Sequence, residues 1–147
     1  MNEQRSVETS EWYERYYAAK GADRNDSHNP EVLFQELALH IAFTRSFADI
    51  DRQARILDVG GGGGSGCLRL ISAGFDPAGL TNIDILPDRA KLAERNLPSS
   101  CTSICGDASN MESLSDGSFD AVMSVRQQDR APVVVVENAG EARIDGF

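Results

Sequence analysis

Long apolar runs are missing from this chain. The longest aliphatic stretch is four valines at 133–136, far below the ~20 apolar residues of a membrane-spanning helix. Positive charge is scarce. Lys and Arg total 14 against 23 Asp and Glu, a net charge of −9. Such a chain has no bulk electrostatic pull toward nucleic acid or an anionic membrane surface. Cysteine is sparse and odd in number: Cys67, Cys101 and Cys105. They lack metal-type pairing and read as small core residues in a reducing cytoplasm. His28 and His40 stand far apart without a ligand frame, so no metal site is expected. The opening residues, Met-Asn-Glu-Gln-Arg-Ser-Val-Glu, carry no signal-peptide pattern. A single cytoplasmic domain spanning 1–147 is expected.

What the chain does have is glycine in one place. Residues 56–66 read Ile-Leu-Asp-Val-Gly-Gly-Gly-Gly-Gly-Ser-Gly. An apolar strand enters five glycines, and a helical run follows from Ser65. Strand, glycine turn and helix open a nucleotide-binding α/β unit. Glycine permits backbone angles closed to other residues. It also lets a ligand approach the main chain beside a helix N-terminus. Two registers fit. Gly61, Gly63 and Gly66 satisfy G-x-G-x-x-G, the dinucleotide fingerprint. Asp58, Gly60, Gly62 and Gly64 satisfy D-x-G-x-G-x-G. Asp58 favours the second register. An acid there would repel a pyrophosphate, whereas a cationic, phosphate-free cofactor tolerates it.

The flanks give an alternating order of elements. Trp12, Tyr13, Tyr16 and Tyr17 share a helical stripe within 7–20. That helix either packs on the core or serves as a lid. Asn29-Pro30-Glu31 is a helix start. The helix should run to about residue 48, with Leu33, Leu37 and Ile41 on one stripe. Val32, Leu39, Phe43 and Phe47 line the neighbouring stripe. Together they predict a broad face packed on a sheet. His40, inside this helix, is expected to carry no chemistry. Strand one is expected at about 55–59 and a helix at 65–73, closed by Gly74. Strand two covers 80–85 and ends around Asp84. A helix starts at Pro87 and stops before Pro98. A weak strand at 100–105 leads to Gly106-Asp107-Ala108. A short helix is expected around 109–114, and strand four at 119–124.

Asp58, Asp84 and Asp107 therefore stand at the ends of three successive strands, where ligands of open α/β sheets bind. This constellation resembles the class I S-adenosylmethionine-dependent methyltransferases. Residues 57–64 look like their first motif, Asn82-Ile83-Asp84-Ile85 the second, and Gly106-Asp107-Ala108 the third. The resemblance covers about 54–124. It implies an α/β Rossmann-like fold: an open, mostly parallel sheet with flanking helices. It also implies S-adenosylmethionine as cofactor. Gly60, Gly62 and Gly64 would line its methionine part. Asp58 would help hold the amino group, directly or through water. Asp84 would take the ribose hydroxyls, with Ile85 beside the adenine. Asp107 and Ala108 would read the adenine edge, and Met111 would pack on its face. The helical region 1–53 looks like the cap of small-molecule members.

The resemblance thins after strand four. Residues 125–130 read as a polar connection. Residues 132–137 have strong β character, either returning antiparallel to strand four or staying loosely attached. Residues 138–147 read as a tail, and 125–147 together as an atypical C-terminal segment. The later family strands are expected to be missing, through truncation or in a minimal form that dimerises. The reading is a methyltransferase with a small-molecule acceptor and no assigned catalytic residue. Tyr16, Tyr17 and His28 are conceivable acceptor-side groups. The alternatives are an NAD-binding oxidoreductase-type module using Gly61, Gly63, Gly66 and Asp84, and a non-catalytic cofactor-binding fragment.

Overall fold

The structure is a computed structural model that describes residues 9–15, 18, 28–110, 118–128 and 131–138. Residues 9–15 are helical (α1). Trp12 and Tyr13 meet edge to face at 5.0 Å. Trp12 remains 53% exposed, so at this point the helix does not bury its aromatics in the core. Tyr16, Tyr17 and Met111 lie outside the described residues.

Helix α2 spans Pro30–Ser46. Its start follows from local chemistry. Asn29 Oδ1 accepts from the Glu31 N–H at 3.0 Å, and Pro30 needs no amide partner at the first position. Only one of its two expected apolar stripes faces inward. Phe43 and Phe47 are buried, while Leu33, Phe34, Leu37 and Ile41 are exposed. The broad packed face expected from the sequence is therefore half as wide.

The sheet has five strands in the order β3-β2-β1-β4-β5. They are β1 Ile56–Val59, β2 Leu80–Asp84, β3 Thr102–Cys105, β4 Ala121–Gln128 and β5 Ala131–Asn138. Strands β1 to β4 are parallel, and β5 returns antiparallel along β4. One expectation changes here. Strand β4 continues through 125–128 instead of ending at 124. Residues 131–138 form a sheet strand, the antiparallel return along strand four that the β character of 132–137 offered as one of two outcomes. Pairing with β5 carries β4 this far, and Pro132 is tolerated because β5 is an edge strand, where its missing N–H costs no interior ladder bond.

Helices α3 (Ser65–Ser72) and α4 (Pro87–Asn96) connect β1 to β2 and β2 to β3. Gly74, with φ +93°, follows the end of α3 as expected. The short helix expected at 109–114 is a 3-10 turn at Ala108–Asn110, with 111–117 outside the description. The strands sort their side chains by period two. Ile56, Leu80, Ala121 and Met123 join Phe43, Phe47, Cys67, Leu70 and Ala93 in the larger cluster, to which α2, α3 and α4 all contribute. Leu57, Ile83 and Val122 form a second cluster with Val59, Ile104 and Phe119. The sheet order reverses at β1, because the chain leaves β3 and re-enters beside β1 as β4. That reversal is where open α/β sheets form ligand crevices.

Candidate functional site

The glycine turn begins where β1 ends, and β2 ties it down. The N–H groups of Gly60 and Gly61 donate to the Ile83 carbonyl at 2.9 and 3.2 Å. The Gly62 N–H donates to Asp84 Oδ2 at 2.9 Å, and the Leu86 N–H donates to Asp84 Oδ1 at 2.9 Å. Asn82 Nδ2 donates to the Gly62 carbonyl at 3.3 Å. Asn96 Nδ2, from α4, donates to the Gly63 carbonyl at 3.0 Å. The turn is thus held from β2 and from α4.

The two glycine registers prove to do different work. Gly60, Gly62 and Gly64 have φ of +69°, +57° and +89°, which L-residues rarely adopt. Gly61, Gly63 and Gly66 lack positive φ but have no room for a side chain. A Cβ on Gly61 would run into Asn82 Oδ1 and Asp58 Oδ2, and one on Gly66 into Asp58 Oδ2 and Met123 Cε. A Cβ on Gly63 would meet Leu92 Cδ2 at 2.9 Å. The first register supplies backbone shape, the second supplies space, and Gly64 does both, because a Cβ there would meet Leu97 Cγ at 2.8 Å. All six glycines between 60 and 66 thus have a structural reason to be glycine.

The three acids occupy neighbouring strands but different environments. Asp84, the last residue of β2, is 8% exposed and already accepts two backbone N–H groups. A carboxylate has about four acceptor positions, so it retains capacity for further donors. Asp107, two residues past β3, accepts from the Ser109 N–H and Oγ at 2.9 and 2.6 Å. It thereby shapes the turn that carries Ala108. Gly106 N–H ties this turn to the Asp84 carbonyl at 2.9 Å. Ile85 directly follows β2, half-buried between Asp84 and Leu86.

Asp58 is different. It lies under the turn, 1% exposed, and neither carboxyl oxygen has a hydrogen-bond partner. Burial, and then the charge of Asp84, push its carboxyl up to about 7. Its register partners are Asn82 on β2 and Met123 on β4. Asn82 is fully buried, and its Oδ1 also lacks a partner. Sequence reasoning placed Asn82 only inside a motif and gave it no role. The available signal was an amide at the centre of a short strand between Leu80 and Ile83, where burial of an unpaired polar group is costly.

The methyltransferase-domain family matches residues 56–138, more than half of the chain. This chain belongs to that family. The match starts with β1 and ends with β5, and so contains the whole sheet. One solved structure agrees on the fold, and a second shows a weaker likeness. The PH0226 protein from Pyrococcus horikoshii OT3 has a TM-score of 0.51 at 23% identity, over 74% of this chain and 49% of that one. The plantazolicin methyltransferase BpumL, solved in complex with SAH, has a TM-score of 0.46 at 22% identity, over 69% of this chain and 37% of that one. This methyltransferase-domain chain spans about a third to a half of the length of the solved structures it matches. No curated protein matches it. Among the described residues, no helix is long and apolar enough to cross a membrane.

Proposed function

We propose that this chain binds S-adenosylmethionine at the glycine turn and serves methyl transfer to a small-molecule acceptor. One observation carries the reading. A turn built on left-handed glycines joins the ends of adjacent strands, with Asp84 beside it and Asp107 one strand further along. The donor set suits this cofactor. A carboxyl group with no partner lies under the turn, and backbone without Cβ atoms lies above it. When bound, the cofactor supplies an electrophilic methyl group on a sulfonium centre.

The chain's own residues bind and orient. Gly60, Gly62 and Gly64 give close backbone approach for the methionine part. Asp84 accepts from the ribose hydroxyls with the lone pairs its two N–H bonds leave free. Ile85 packs beside the adenine, and the 3-10 turn at Asp107 and Ala108 meets the adenine edge. Met111 would add an apolar contact to the ring. Asp58 lies too deep for a direct contact, so it favours a cationic amino group from beneath the turn. Methyl transfer is an in-line displacement, and such sites work mainly by positioning and by excluding water. The acceptor is proposed as a small molecule because the chain carries a net charge of −9 and few cations for a polyanion.

Amide chemical-shift mapping tests this reading. Adding S-adenosylmethionine should move the amides of Gly60–Gly64, Asp84–Ile85 and Asp107–Ala108. Shifts that avoid all three segments would remove the proposed site.

A further inference from the structure

Two buried oxygens from register-paired residues on adjacent strands crowd the same space under the glycine turn, and neither has a hydrogen-bond partner. Asn82 Oδ1 and Asp58 Oδ2 both come within 3.0 Å of the point a Gly61 Cβ would occupy. Neither accepts any hydrogen bond. The orientation of the amide is not arbitrary. The Gly62 carbonyl can only accept, so Asn82 turns its nitrogen to that carbonyl and its oxygen toward Asp58. Two acceptors packed side by side out of water repel each other unless one carries a proton.

We propose that Asp58 is a neutral carboxylic acid in the free protein, that its O–H donates to Asn82 Oδ1, and that Asn82 is the positioning residue linking this acid to the glycine turn. The inference deepens the cofactor reading and rests on it for its functional meaning. The resulting chain of bonds is continuous. Asp58 O–H donates to Asn82 Oδ1, Asn82 Nδ2–H to the Gly62 carbonyl, and Gly62 N–H to Asp84 Oδ2. The buried acid, the turn and the ribose-side acid are then one hydrogen-bonded unit.

The surroundings agree. Asp84 faces Asp58 from β2 and opposes a second negative charge. From α3, Cys67 lies against it as a thiol that burial keeps neutral. From β4 the neighbour is the apolar Met123, and Gly66 leaves the space that the carboxyl fills. None of these elements puts a cation against Asp58 among the causes that set its proton affinity. A cationic group bound above the turn favours the anion. The acid therefore keeps its proton in the free protein below about pH 7 and releases it to solvent when such a group binds.

Carboxyl carbon NMR on the full chain tests this, with Asp58→Asn used to assign the resonance. The expected result is an Asp58 midpoint near neutrality, about 7. The Gly62 amide shift should follow that same midpoint, and Asn82→Ala should uncouple it. An Asp58 resonance already ionised at about pH 5, near ordinary carboxyl values, would overturn the proposal. So would a Gly62 amide that ignores the Asp58 titration in the unaltered chain. Adding S-adenosylmethionine separates the two readings. A lowered Asp58 midpoint on binding supports both. Binding with Asp58 ionised throughout sinks only the proton inference. A neutral, coupled Asp58 without any cofactor binding sinks only the cofactor reading.

Discussion

The Gly62 N–H and Asp84 Oδ2 meet at 2.9 Å, and this bond fastens the glycine turn to the end of β2. Asp84 also accepts from Leu86 at the other oxygen. One side chain therefore sets the turn before α3 and the entry into α4.

Asp84→Ala should lose both structure and ligand. Hydrogen bonds to a charged group contribute about 1.5–3 kcal/mol each, and both backbone donors would need new partners. Urea unfolding should show a loss of roughly 2–4 kcal/mol, and cofactor titration a large fall in affinity. Asp84→Asn, which keeps one acceptor, should fall between. An Asp84→Ala protein with unaltered affinity would withdraw the ribose assignment.

Gly60→Ala and Gly61→Ala should fail for different reasons. Nothing lies within 4 Å of a Gly60 Cβ, but its φ of +69° is strained for alanine, a cost of about 1–2 kcal/mol. Gly61 has ordinary φ, but its Cβ collides with Asn82 and Asp58. Overpacking there should cost about 1–3 kcal/mol and displace the buried pair. In the second case alone, Asn82→Ala in the same chain should recover part of the loss. Denaturant midpoints of the single and double variants check this.

Stability should depend on pH in a defined direction. Asp58 has a folded pKa raised from 3.8 to about 7, so the folded state holds its proton more tightly. Its contribution is complete below about pH 4, and is lost as pH rises toward 7. Asp120 works oppositely. Arg55 hydrogen bonds hold it down at about 2, so its contribution exists above about pH 4 and is lost as pH falls toward 2. The melting temperature should therefore decline between about pH 4 and 7, and Asp58→Asn should flatten that decline. An identical slope in Asp58→Asn would assign it elsewhere.

The two stripes of α2 should respond unequally. Phe47 is 2% exposed and touches Phe43 and Phe75 at ring separations of 5.7 and 5.8 Å. Phe47→Ala should cost about 3–5 kcal/mol. Phe34 is 68% exposed, and Phe34→Ser should stay within about 0.5 kcal/mol. Equal losses would mean the outer stripe is covered in solution.

Much of this was legible in the chain. The helix start at Asn29-Pro30 and the glycine turn announce themselves through local chemistry that tertiary packing does not change. Strands β1 and β2 are short apolar runs bounded by turn residues, and their limits were found within a residue or two. The extension of β4 was not legible, because Val125-Arg126-Gln127-Gln128 looks polar, and only the pairing with β5 makes it a strand. The outward stripe of α2 was misread because periodicity shows that a face is apolar, not what it meets. The depth of Asp58 escaped for a similar reason. Its spacing from the glycines was readable, but the register with Asn82 and Met123 that buries it was not.

A thermal unfolding scan with S-adenosylmethionine, with NAD as the control, tests the central claim most directly. Ligand at about a hundred times its dissociation constant stabilises the folded state by about 2.7 kcal/mol, roughly 5–10 °C for a chain of this size. The account predicts a cooperative transition raised by S-adenosylmethionine and unmoved by NAD, with the rise abolished in Asp84→Ala. A transition raised by NAD alone, or by neither, would contradict it.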